Sequence, residues 1–345
     1  MKKVLILTGS YGWWHNTAAS NLEQYYKNKW YITKTIDIIK FVSDFIAKST
    51  KTFYSVSSQE YPKIWETFFN ATDFPIFARI LYWIKDPIWQ PKFNKIVEEY
   101  EPNVIISVFP FWNWWIKNYR KKYWEKFKWG IVITDAINIQ SFWYVKSKYV
   151  DKYFVFDEWT KQEFIDKFNY PKEKIKVSFF PFLKQKIINK EKIWNKNILI
   201  LLTWLEYELV DNILSKISWN IIILKWRNIE VYDTLKLKYW EKFNFLDFLP
   251  ILDNLKNIDI VIWKPGWAIV CECIATDTLL IVPSFFPGQE EGNVKLLQNS
   301  ETWIYENNSE KILFLIKYLK FNKFIPNFQK IKKDNSCDII FDSLN

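Results

Sequence analysis

Two α/β domains, each built on a parallel sheet, are what this 345-residue sequence predicts. Three observations carry that expectation. Short apolar runs of strand length alternate with longer amphipathic stretches, the pattern of βαβ units. The alternation breaks at FPFLKQKIINKEK, a Lys-rich, proline-containing stretch without a clear period, and restarts at Asn197. The length also suits two domains of about 150 to 200 residues better than one.

Taken in order, strands are expected at Lys3–Thr8, Tyr31–Asp37, Asn103–Val108, Gly130–Thr134, Lys152–Phe156 and Lys176–Phe179. Helices are expected between them, at Thr17–Lys27, Phe41–Thr52, Pro87–Glu99, Phe111–Lys126 and Thr160–Phe168. Beyond the linker come strands at Asn197–Leu202, Ile221–Leu224, Ile258–Ile262 and Leu279–Pro283, with helices from Glu206, from Ala268 and at Glu310–Phe321. The domains are placed at 1–180 and 181–325, leaving 326–345 as a tail without a readable pattern. Each apolar run, such as Ile198–Leu202 or Ile260–Trp263, falls far short of the ~20 residues that span a bilayer. The opening MKKVLILTGS has only Val4–Leu7 before Gly9, which reads as a first strand and not a secretory signal.

Hydrophobic residues at 49% and charged residues at 25% describe a folded globular chain. Three cysteines and a single histidine argue against a disulfide framework and against a zinc site; a cytoplasmic setting is expected. The net charge of +10 suits nucleic acid or an anionic lipid surface. No recognised nucleic-acid-binding pattern is present, so nucleic acid is not expected as a partner.

Tryptophan occurs 21 times and glycine 6 times, although glycine ordinarily supplies roughly 7% of residues. In SYGWWHN, KWRN and KPGWA, tryptophan stands where backbone geometry wants glycine. Many of these tryptophans are therefore expected to be glycines in the cell, a reassigned UGA codon having been translated as tryptophan. Others, such as Trp65 in KIWETFF, lie on apolar helical faces and are read as genuine.

Three segments carry the chemistry. In parallel α/β sheets the ligand crevice lies at the C-terminal ends of the strands. The first strand runs into TGSYGWWHNTAAS, where Gly12, Trp13 and Trp14 form a loop ahead of a helix opening at Asn16; bare N–H groups there attract anions. His15, the only histidine, falls in that loop. Asp135 follows a strand directly in ITDAINIQSFWY, placing a carboxylate that can take a proton from an acceptor hydroxyl at the same crevice. Third, in WKPGWAIVCECIA the turn Lys264, Pro265, Gly266 and Trp267 can cradle a diphosphate at a helix N-terminus. Glu272 sits a turn into that helix, placed to bind a ribose. PGQEEGN then offers Gln289, Glu290 and Asn293, amide and carboxylate groups suited to vicinal hydroxyls. Cys271 and Cys273 are read as small helical residues.

GSYGWWHNTAAS resembles the Gly-Gly-Gly-His loop of the diacylglycerol sugar transferases, the monogalactosyldiacylglycerol synthases and processive diacylglycerol glucosyltransferases of glycosyltransferase family 28. KWRN is similar to their Gly-Arg-Asn segment, which brings in Arg227, and KPGWAIVCECIA with PGQEEGN resembles their nucleotide-sugar signature. In each motif the departure is tryptophan for glycine, at Trp13, Trp14, Trp226 and Trp267. Family members also carry a histidine shortly after the Asp of the TD motif, where this chain has Asn138, Ile139 and Gln140.

The resemblance implies a GT-B fold, two Rossmann-like domains facing a central cleft, and inverting transfer of a hexose from a UDP-sugar to diacylglycerol or a related lipid. UDP would lie on Arg227, Lys264 to Trp267 and Glu272, with Asp135 or His15 as base, no metal, and no cofactor beyond the donor. Lys117, Arg120, Lys121, Lys122, Lys126 and Lys128 beside aromatics would dock the enzyme peripherally on the anionic inner face of the membrane. The alternatives are a non-catalytic nucleotide-sugar or lipid-surface binding protein, an epimerase of the same fold, and an enzyme like the GlcNAc transferase of peptidoglycan-precursor synthesis.

Overall fold

The computed structural model describes the chain outside residues 11–12, 43–88, 124–125, 138, 189–196, 203–204, 206, 226–227, 248–253, 286–289 and 320–322. Two compact units result: Met1–Lys184 with Pro287–Gly292 and Lys333–Asn345, and Gln185–Phe286 with Asn293–Lys332.

The first unit contains β1 (Lys3–Thr8), α1 (Trp13–Asn28), β2 (Ile32–Asp37), α2 (Ile38–Val42), α3 (residues 89–100), β3 (Val104–Ser107), α4 (Trp112–Lys122), β4 (Lys128–Val132), β5 (Lys152–Val155), α5 (Glu158–Phe168) and β6 (Ile175–Val177). Its strands form one parallel sheet in the order β2-β1-β3-β4-β5-β6. Central strands of such a sheet are covered on both faces and read as continuous apolar runs, as Val4–Leu7 and Val104–Ile106 do. The edge strand β2 alternates Thr and Lys instead and stays partly exposed, which discourages further pairing.

The second unit holds β7 (Ile198–Leu202), α6 (Tyr207–Ser215), β8 (Ile221–Lys225), α7 (Ile229–Tyr239), β9 (Asn244–Leu246), β10 (Ile260–Ile262), α8 (Trp267–Ala275), β11 (Leu279–Val282), α9 (Glu291–Ser300), β12 (Trp303–Tyr305), α10 (Ser309–Tyr318) and α11 (Ile325–Ile331). Its parallel sheet has the order β12-β11-β10-β7-β8-β9. In both sheets the chain leaves the first strand to one side and returns on the other. The switch points, where open α/β sheets bind ligands, lie between β1 and β3 and between β7 and β10.

Several elements differ from the sequence expectation, and helices α7 and α9 were not expected. Helix α1 starts at Trp13 and not at Asn16, so Trp14 and His15 lie in its first turn. β9 and β12 are three residues each, too short to show a period. Finally, residues after Phe321 form α11 and a last helix, α12 (Ser336–Leu344). α12 returns to the first unit: Phe341 packs its ring 5.2 Å from Tyr26 and 5.6 Å from Tyr31. Leu344 lies against β4, where a Cβ on Gly130 would come within 2.7 Å of its Cδ1.

Helix α1 ends in a Schellman motif. Tyr31 N donates to Tyr26 O and Trp30 N to Lys27 O, both at 3.0 Å. Trp30 is the left-handed residue of that motif, with φ of 61° and 83% exposure. A Cβ disfavours this conformation and glycine does not. The indole N–H groups of Trp14 and Trp129 are buried without a hydrogen-bond partner among the described residues.

Candidate active site

The first switch point is occupied by His15. Its Nδ1 lies 2.8 Å from Val108 O, just past β3, and 2.8 Å from Thr134 Oγ1, just past β4. A carbonyl only accepts, so Nδ1 carries the proton and Nε2 is left as the ring's acceptor. The imidazole packs edge-on against Phe109 at 4.9 Å. Burial lowers its pKa to about 4, against smaller opposing effects from the Val108 hydrogen bond and from Asp37. His15 is therefore a neutral imidazole at pH 7.

The loop leading into α1 is tied to the end of β2. Ser10 hydroxyl and amide both donate to Asp37, Asn16 Nδ2 donates to Ser10 Oγ at 2.8 Å, and Thr8 Oγ1 donates to Asn16 Oδ1 at 3.0 Å. Asp37 also accepts from Ile39 N at 2.8 Å, capping the turn into α2. These polar residues were not singled out in the sequence, because nothing in its local spacing links Asp37 to Ser10, 27 positions away.

Asp135 follows Thr134 at the same sheet edge. Its Oδ2 accepts from the indole N–H of Trp143 at 2.7 Å. Burial raises its pKa to about 6, and the Trp143 hydrogen bond acts in the opposite sense. The carboxylate is thus ionised at pH 7 yet more basic than an ordinary aspartate, the property of a general base working near neutrality. Trp143 lies within the ITDAINIQSFWY motif, but an indole folding back over eight residues leaves no periodic signal.

In the second unit β10 leads through Trp263 and Lys264-Pro265 to Gly266, the N-cap of α8, in extended conformation. The first N–H groups of a helix have no intrahelical acceptor and, with its dipole, favour an anion there. Trp267 is the first helical residue and is buried; Glu272 is buried within the same helix. Asn293, on α9, donates from Nδ2 to Pro265 O at 2.9 Å, so the structure joins two motifs that lie 28 residues apart. Glu290, in the segment Pro287–Gly292 that clusters with the first unit and not with the expected C-terminal domain, is buried immediately before α9. Gly12, Arg227 and Gln289 lie outside the described residues, and of Trp13 only the backbone is described.

One basic residue leaves the expected docking face. Arg120 is buried, pairs with Asp151 at 2.7 Å and donates to the carbonyls of Tyr149 and Phe127. Its neighbours in sequence, Lys121, Lys122 and Lys126, are exposed, while Lys117 Nζ sits 3.5 Å over the Trp114 ring. Among the described residues no helix is long and apolar enough to cross a membrane.

The family model of monogalactosyldiacylglycerol (MGDG) synthase matches residues 15–182. The processive diacylglycerol beta-glucosyltransferase of Bacillus subtilis (strain 168) is 22% identical, over 99% of this chain and 94% of its own length. Among solved structures, MurG of Acinetobacter baumannii is similar with a TM-score of 0.63 at 10% identity, covering 100% of this chain and 99% of that one. The calicheamicin glycosyltransferase CalG4 is similar with a TM-score of 0.65 at 8% identity, covering 99% and 98%. His15, Thr134 and Asp135 all fall within the matched family segment, and the two parallel sheets are those of the GT-B glycosyltransferases. The chain has the fold of the GT-B glycosyltransferases and is similar to the diacylglycerol sugar transferases.

Proposed function

We propose that this enzyme transfers a hexose from a UDP-sugar to the free hydroxyl of diacylglycerol or a closely related membrane lipid, with inversion at the anomeric carbon. The observation that carries the reading is the sequence of two residues past β4: Thr134, whose hydroxyl touches the neutral imidazole of His15, and the half-buried Asp135, whose carboxylate pKa is raised. Asp135 takes the proton of the lipid hydroxyl as its oxygen bonds to the anomeric carbon. The bond from that carbon to the β-phosphate oxygen breaks, and UDP leaves with the electron pair. His15 Nε2, held by the Nδ1 contact to Val108, orients the acceptor hydroxyl by accepting from it or from a bridging water.

Backbone N–H groups at the start of α8 stabilise the charge that develops on the departing diphosphate, and Lys264 adds a cation at the same turn. Glu272 receives the ribose hydroxyls; Gln289, Glu290 and Asn293 address the sugar, and Arg227 the nucleotide. No cofactor beyond the donor enters this scheme. The chain acts peripherally on the inner face of the membrane, drawn to anionic lipid by Lys121, Lys122 and Lys126, each contributing ~1 kcal/mol near the surface. The likeness to MurG is one of fold at 10% identity, whereas both the family model and the full-length bacterial relative are named for diacylglycerol products; diacylglycerol is therefore the preferred acceptor.

Replacing Asp135 by Asn tests the reading. The variant is expected to bind UDP with unchanged affinity while kcat for glycolipid formation falls by about 10²- to 10⁴-fold. Undiminished transfer would remove Asp135 from the mechanism.

A further inference from the structure

The Trp143 indole is one of the largest side chains enclosed completely in the first unit, and its surroundings fix it from two sides. It ends the 3-10 turn Ser141–Trp143. Tyr153, on β5 and fully buried, donates its hydroxyl to Trp143 O at 2.9 Å and accepts from Val145 N at 2.8 Å. One hydroxyl from the sheet thereby clamps the backbone on both sides of Tyr144. The indole that this clamp aims donates to Asp135 Oδ2 at 2.7 Å, and its ring lies 6.5 Å from that of His15.

We infer that Trp143 is the positioning residue of the proton acceptor, holding Asp135 Oδ2 so that Oδ1 is presented to the acceptor hydroxyl. This rests on the reading of Asp135 as the base. An indole suits the task because it is a donor only and does not titrate. It orients the carboxylate without offering it a proton or competing for the one it must take. Hydrogen bonding to the charged form also offsets part of the effect of burial on Asp135. Other titratable groups on the surrounding elements are His15 on α1, Asp37 at the end of β2, and Asp157, Glu163 and Lys167 on or beside α5. Glu163 accepts from Ile139 N and Lys167 donates to Ile139 O. All of these are common to the wild type and a Trp143 variant, so a difference between the two reports on the indole.

The test compares pH–rate profiles of glycolipid formation for the wild type, Trp143→Phe, Tyr153→Phe and Asp135→Asn. Trp143→Phe keeps a ring and removes the N–H. Its kcat is expected to fall by about 10- to 100-fold, its KM for the UDP-sugar to stay put, and its acidic limb to move to higher pH. Tyr153→Phe releases the clamp and is expected to shift the limb in the same direction by less. It decides the matter should Trp143→Phe fail to fold. If Asp135→Asn is inactive but both aromatic variants keep the wild-type limb and kcat, the role of Trp143 is overturned and the base reading stands. If Asp135→Asn keeps its activity, both fall. A glycine mass at position 143 in peptides from the native protein also overturns the assignment.

Discussion

His15 and Asp135 differ in the pH at which each becomes a usable base, and that difference separates their roles. Asp135, raised to about 6 by burial, is ionised above that value and loses its basic form as pH falls through it. His15, lowered to about 4 by burial, stays neutral down to that value. Rate profiles of kcat/KM are therefore expected to fall on the acid side near pH 6; a limb near pH 4 would make His15 the proton acceptor. Asn293 gives a second prediction. Removing its hydrogen bond to Pro265 O with Asn293→Ala is expected to raise KM for the UDP-sugar by up to about tenfold, with kcat nearly unchanged. Asp135 and Asn293 stand out as candidates in the sequence because one follows a strand and the other lies in a dense polar motif. Thr134, Trp143 and the Asp37 network were not, since their roles arise from contacts between separate strands and from a turn that folds back.

Helix α1 shows how far periodicity reaches and where glycine chemistry takes over. Its body was readable, as were most central strands, because their apolar runs are continuous. It starts at Trp13, three residues ahead of the Asn16 start that the sequence suggests, because Trp13 and Trp14 stand in a loop-like, glycine-type motif. Its end carries Trp30 in the left-handed slot of a Schellman motif, a position that no local motif marks in the sequence. A non-glycine residue in that conformation costs about 1–2 kcal/mol, and for a unit of this size each kcal/mol is worth about 2–4 °C in Tm. Trp30→Gly is accordingly expected to raise Tm by a few degrees in calorimetry, and Trp30→Ala to give no comparable gain. The same reasoning extends to the cell: peptides from the native protein are expected to show glycine masses at positions 13, 14, 30 and 267. Tryptophan masses at these sites would contradict the reassigned codon.

Across the whole molecule, two doubly wound units were foreseeable from the broken alternation of strands and helices, but the path of the C-terminus was not. Nothing in the Asn- and Lys-rich end of the chain marks α12 as a partner for β4, because that packing is a long-range match of surfaces. Gly130 is the point of contact. Gly130→Ala is expected to destabilise the first unit by about 1–3 kcal/mol through crowding against Leu344 and Phe154. Leu344→Ala is expected to cost about 2–5 kcal/mol by leaving a cavity. The double variant should be more stable than the sum of the two, because the alanine at 130 then meets the space left at 344; strict additivity would mean that α12 does not seat there. The central claim, sugar transfer to a lipid hydroxyl, is tested most directly with protein purified from its own cells, UDP-hexoses and diacylglycerol-containing anionic vesicles, with the lipid products identified by mass spectrometry and NMR. A β-linked hexosyl-diacylglycerol that disappears in the Asp135→Asn variant is the expected result. Consumption of UDP-sugar without a glycolipid, or transfer to a peptidoglycan precursor alone, would contradict it.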